Sequence, residues 1–175
     1  MTVLVHVWKP HGYSFSAVKA GEERAVGHAA IEVRGPSGSA YMSWWPNEAD
    51  RETLSGKVRS LWGVTASNHA SVGQDTREEG GRPPVTVDVT GLDEAGILTW
   101  WRDQGKTSWS LLNTNCSQIA IDALRAGGGD DYIPGNALSR FYQTHSVVWR
   151  PLLVLDYARA VREGMARTVN TKKKP

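Results

Sequence analysis

The sequence predicts an α+β domain, a modest antiparallel sheet with helices packed on it. Three observations point there. The chain opens on a Val-rich alternating run, TVLVHVW; two extended segments, HAAIEVR and AYMSWW, flank a Gly-Pro-Ser-Gly cluster; and CSQIAIDALRA repeats its apolar residues at helical spacing. The 175 residues suit one domain, read as a single unit over 1–165 followed by a basic, frayed tail over 166–175.

Thr2 to Trp8 alternates as a half-buried strand does, and Pro10 to Gly12 ends it. His28 to Arg34 and Ala40 to Trp45 read as a hairpin closed by the turn residues between them, with Pro46 stopping the second strand. His28, Ala30 and Glu32 share one face of their strand. Asn47 to Pro84 is polar and rich in Gly, Ser and Glu, so it reads as a long loop with short ordered pieces, a candidate lid. Val85 to Val89 is a further strand. Asp93 is placed to cap a helix that runs to about Gln104, and Ser108 to Leu112 is a short extended piece.

Cys116 to Ala126 is the clearest helix. Residues 116, 119, 120, 123 and 124 are Cys, Ile, Ala, Ala and Leu; Asn113, Thr114 or Asn115 can cap the start, and Gly127 to Gly129 end it. A short helix follows within Pro134 to Thr144, and another over Pro151 to Glu163. Eight tryptophans supply much of the core; adjacent Trp44 and Trp45 face opposite sides of a strand, so one of them is available to a cleft.

Composition removes several function classes. Twenty basic residues against eighteen acidic give a net charge of +2, without the basic footprint of a nucleic-acid binder. No apolar run reaches the roughly 18 residues that span a bilayer, and the N-terminus lacks the basic and apolar regions of a signal peptide. The expectation is cytoplasmic synthesis without a cleaved leader. A single cysteine excludes an internal disulfide and a multi-cysteine zinc site, and no cofactor is implied.

That cysteine carries the functional argument. Cys116 falls in the first turn of its helix, where unpaired N–H groups and the helix dipole favour a thiolate and can receive an oxyanion. The plainer reading is a buried core cysteine, since Cys116 also lies on the apolar stripe. A catalytic thiol needs a base. Among His6, His11, His28, His69 and His145, His28 is favoured, because it starts a strand beside Gly27 and small Ala29 and Ala30. Ser43, Glu32, Glu48 and Asp50 are open as the group that orients His28.

A Gly-His strand that precedes an Asn-Cys helix by 88 residues is an informative order. GHAAIEV, YMSWWP and NTNCSQIAIDALRAGG together resemble the circularly permuted NlpC/P60 group of the papain-like fold, which includes lecithin:retinol acyltransferase-like enzymes. The resemblance implies a papain-like sheet, Cys116 as nucleophile, His28 as base and Ser43 at the third position. Ser43 and Ser117-Gln118 stand where the acyltransferase-like members carry a second histidine and an acidic residue with a histidine.

The resulting expectation is a cysteine amidase or peptidase acting through an acyl-enzyme on peptidoglycan stem peptides or protein. The alternatives are a phospholipid acyl hydrolase or acyltransferase, and a noncatalytic interaction domain with a structural Cys116. The chain also resembles effector toxins of bacterial contact-dependent secretion systems, which implies export into a target cell and a cognate immunity protein as partner.

Overall fold

The computed structural model describes residues 2–10, 27–52, 59–104, 108–144 and 150–171. His11, His145 and Lys172–Lys174 lie outside the described residues. The architecture is α+β, an antiparallel sheet with packed helices. Strands β1 (Thr2–Trp8), β2 (His28–Gly35), β3 (Gly38–Met42) and β6 (Val85–Asp88) form a four-stranded sheet in the order β3-β2-β1-β6. A two-stranded sheet pairs β4 (Trp44–Pro46) with β5 (Ala66–Asn68). The helices are α1 (Glu48–Glu52), α2 (Val72–Glu78), α3 (Glu94–Gln104), α4 (Cys116–Ala126), α5 (Gly135–Thr144) and α6 (Pro151–Thr171).

Strand alternation separates the sheet into two chemically different faces. Val5 pairs with Ile31 and Val87, and Val7 with Ala29, so the odd-numbered β1 positions form an apolar face. Helices α3, α4 and α6 cover it through Ile97, Ala120, Leu124, Val154 and Ala158 in one continuous core. The opposite face carries His6, Trp8, His28, Ala30, Glu32 and Tyr41. Polar side chains on that face are nonetheless buried or half-buried, because the 69–82 segment lies over them: Tyr41 donates to Asp75, and Trp8 Nε1 donates to the Arg82 carbonyl at 2.9 Å.

The expected single strand over Ala40–Trp45 is divided at Ser43. There the chain leaves β2 and turns to β5: Ser43 N–H donates to Asn68 Oδ1 at 2.7 Å, and His69 N–H donates to the Ser43 carbonyl at 3.1 Å. The stretch read as a long loop holds α1, β5 and α2. Helix α2 is capped by Ser71, whose hydroxyl accepts from Gln74 N–H at 3.3 Å. The C-terminal helix also runs further than expected, to Thr171 instead of about Glu163, so the described part of the segment expected to fray is helical.

Gly27 explains how the chain enters β2. Its φ is +75°, and a Cβ there would stand 2.3 Å from the Trp8 carbonyl oxygen. Only glycine combines that backbone conformation with so close an approach. It sets the position of His28, the next residue.

Candidate functional site

Helix α4 begins where the sequence predicts. Asn115 is the N-cap: its Oδ1 accepts from Gln118 N–H at 2.9 Å while its Nδ2 donates to the Leu111 carbonyl at 2.9 Å. Cys116, half-buried, is therefore the first helical residue, held rigidly at the dipole's positive end. His28 is buried at the start of β2, and the Cys116 and His28 side chains interact.

The far side of the imidazole is bound to a serine and a carboxylate. His28 Nε2 lies 2.9 Å from Ser43 Oγ and 3.4 Å from Asp75 Oδ2. Ser43 Oγ lies 2.7 Å from Asp75 Oδ2 and 2.9 Å from Trp45 Nε1. The accounting closes on one arrangement: the serine donates its single hydrogen to the carboxylate and accepts from the indole and from His28 Nε2–H. Nε2 therefore carries the proton, and Nδ1 is the nitrogen left for Cys116.

Asp75 is the hub. Its carboxylate also accepts from His69 Nδ1 at 2.7 Å, from Trp45 Nε1 at 2.9 Å and from the Tyr41 hydroxyl at 2.5 Å. Burial would raise its pKa, but the nearby His28 imidazolium and the hydrogen bonds from His69 and Tyr41 hold it well below the usual carboxylate range. Burial together with the Asp75 charge pushes the Tyr41 phenol upward, so it stays a donor. For His28, burial opposes the charged form; the Cys116 thiolate charge and the neighbouring Asp75 carboxylate outweigh it and raise the imidazole to about 9. The ring thus favours its protonated form at neutral pH.

Of the residues singled out from sequence, Cys116, His28 and Ser43 come together. Glu32 does not join them. It shares the His28 face, but His6, opposite Ala30 on β1, brings its Nε2 to 3.2 Å from the Glu32 carboxylate, and Arg34 pairs with the same group. Burial in turn lowers the His6 pKa, against the pull of Glu32. Asp50 is paired with Arg59 at 2.9 Å, and Glu48 begins α1. Asp75 is the residue that sequence reading missed; His69 is among the five histidines considered there, but nothing in the sequence joins it to Asp75. The available signal was the Ser71-x-x-Gln74 pattern, which marks a helix start inside the presumed loop and places Asp75 in its first turn.

Cys116 and His28 open onto a cleft of about 230 Å³. Its walls are Trp44, Trp45, Pro46, Trp109, Leu111, Leu112 and Pro151, with Asn115, Ser117 and Arg150 as polar members. The buried indole N–H groups of Trp44 and Trp109 have no hydrogen-bond partner among the described residues. Native cores rarely tolerate such donors, whereas sites often do. Among the described residues no group of three or more His, Cys, Asp or Glu is arranged to hold a metal ion, and no helix is long and apolar enough to cross a membrane.

Fold and site thus define an α+β domain with a thiol, an imidazole and a buried carboxylate aligned at an apolar cleft. Residues 57–175, well over half of the chain, match the family model of the IcsB middle domain, and the chain belongs to that family, one of bacterial secreted effectors. The matched segment carries His69, Asp75 and Cys116; His28 and Ser43 lie before it. No curated protein and no solved structure matches the chain.

Proposed function

We propose that the chain is a cysteine enzyme that moves an apolar acyl group through a Cys116 thioester, to water or to an acceptor nucleophile, as part of a bacterial effector. The observation that carries the reading is the placement of Cys116 and His28 in the lining of a cleft walled by tryptophan, leucine and proline. The His-strand then Cys-helix order supports a papain-like assignment of the fold.

In this mechanism the Cys116 thiolate attacks the acyl carbonyl. Among the first amides of α4, Gln118 N–H is taken by Asn115 Oδ1 and Ile119 N–H by the Asn115 carbonyl, so the N–H groups of Cys116 and Ser117 are placed to receive the oxyanion. Protonated His28 gives its proton to the leaving group as the carbonyl–leaving-group bond breaks. The neutral ring then removes a proton from the incoming water, amine or hydroxyl, which displaces Cys116. Asp75, directly and through Ser43, holds the ring and stabilises its charge.

The cleft matches an acyl chain better than the peptide expected from sequence. A peptide backbone needs a series of polar partners, and the described walls offer few. The cleft is smaller than the ~300–1,000 Å³ of typical ligand pockets, so it suits one arm of a substrate.

The test is hydrolysis of p-nitrophenyl esters from acetate to decanoate, with alanine-peptide p-nitroanilides in parallel. Activity rising with chain length and absent in Cys116→Ala supports the reading. Cleavage of the anilides alone would return it to amide hydrolysis. Inactivity towards both, together with an inert Cys116 thiol, would favour the noncatalytic interaction domain.

A further inference from the structure

Three rings are stacked behind the thiol. The Trp45 indole lies on His28 with centroids 4.1 Å apart and planes 25° apart, and His69 lies against the same indole at 5.1 Å and 21°. Each ring turns one nitrogen to the same polar edge: His28 Nε2 to Ser43 Oγ at 2.9 Å, Trp45 Nε1 to Asp75 Oδ1 at 2.9 Å, and His69 Nδ1 to Asp75 Oδ1 at 2.7 Å. All three are at most 5% exposed. The stack spans three segments, since His28 starts β2, Trp45 lies on β4 and His69 directly follows β5.

This arrangement addresses a physical need. The χ2 torsion of histidine is broad and roughly two-fold. A ring held by one hydrogen bond can rotate and carry Nδ1 away from the thiol. A flat indole against its face removes that freedom and attracts the ring when it is cationic. His69 completes the support from behind, because it braces the indole and occupies a carboxylate oxygen that fixes Asp75.

We propose that Trp45 and His69 are positioning residues, a rack that holds the His28 ring edge-on to Cys116 and stabilises its protonated form. This rests on the Cys116–His28 pair proposed above. The titratable groups that bear on it are Cys116 and Asp75 against His28, with His69 and Tyr41 against Asp75.

The experiment is an NMR titration of the His28 Cε1–H resonance, paired with the pH profile of iodoacetamide alkylation of Cys116. It uses the full chain and the variants Trp45→Leu, Trp45→Phe, His69→Leu and His69→Gln. Trp45→Leu is expected to lower the His28 midpoint by about one unit and to shift the alkylation profile of Cys116 with it. Trp45→Phe, which keeps a ring face and loses the N–H, should fall between Trp45→Leu and wild type. His69→Leu should shift the midpoint downward, and His69→Gln, whose amide can still donate to Asp75, should restore most of it.

A folded Trp45→Leu protein with the wild-type midpoint and profile would overturn the proposal. If Trp45→Leu does not fold, the His69 pair decides: equal midpoints in His69→Leu and wild type overturn the rack. Failure of the Cys116–His28 pair is read separately, as a His28 midpoint that Cys116→Ala leaves in place.

Discussion

Ser43 Oγ stands 2.9 Å from His28 Nε2, inside hydrogen-bonding distance, while the nearest Asp75 oxygen is 3.4 Å from the same nitrogen. The hydroxyl is therefore the first contact of the imidazole, and the carboxylate acts largely through it. With two acceptor sites and one donor, Ser43 can receive the His28 Nε2–H and the Trp45 indole N–H and pass its own hydrogen to Asp75. Different consequences follow for the two residues.

Ser43→Ala leaves Asp75 within reach of a slightly shifted ring, so activity is expected to fall roughly 10-fold, whereas Asp75→Asn should cost roughly 10²–10⁴-fold. The measurement is kcat/KM on the ester substrate. A smaller loss for Asp75→Asn than for Ser43→Ala would contradict this ordering.

Asp75 is also a structural group. Asp75→Ala strands the donors of Tyr41, His69 and Trp45 in a buried setting and should destabilise the fold by about 3–5 kcal/mol. Because its folded pKa lies below the ordinary carboxylate value, its stabilising contribution is present above about pH 4 and is lost as pH falls below that. Urea melts of wild type and Asp75→Asn between pH 2.5 and 6 check this: wild type should lose stability steeply on acidification, and the variant less.

His28 has the opposite sign. Its folded value is raised from 6.5 to about 9, so its contribution is complete below pH 6.5 and is lost as pH rises through about 9. Cys116→Ala removes the leading favourable charge, and the His28 midpoint should fall. An NMR titration of the variant reads this directly, independent of any substrate.

Gly27→Ala tests the backbone that delivers His28. The positive φ and the 2.3 Å approach to the Trp8 carbonyl predict a loss of roughly 2–4 kcal/mol, with Cys116 alkylation at neutral pH slowed in the folded fraction. Unchanged melting would show that the β1–β2 entry relaxes without strain.

Much of this arrangement was legible locally. The α4 boundaries and its Asn115 cap follow from one short window, because apolar periodicity, a capping side chain and terminal glycines all agree there. The alternation of β1 likewise gave its two faces. Asp75 was hidden because its helix is short, and its bond to His69 because that residue follows a three-residue strand in polar surroundings; nothing local distinguishes a buried Asp from a solvated one. Glu32 misled for a related reason. Sharing a strand face with His28 is a local fact, but its bond to His6 arises only from β1–β2 register.

The sequence by itself determined the α+β class, the helix that presents Cys116 and the strand that presents His28. These depend on period, caps and glycines, which act over a few residues. Only the tertiary structure decided that Asp75 is the carboxylate behind His28, that Trp45 lies between two histidines, and that the thiol opens onto an apolar cleft. Those relationships join segments far apart in the chain, and they are set by sheet register and by the departure of the backbone from β2 at Ser43, where long-range packing outweighs local preference.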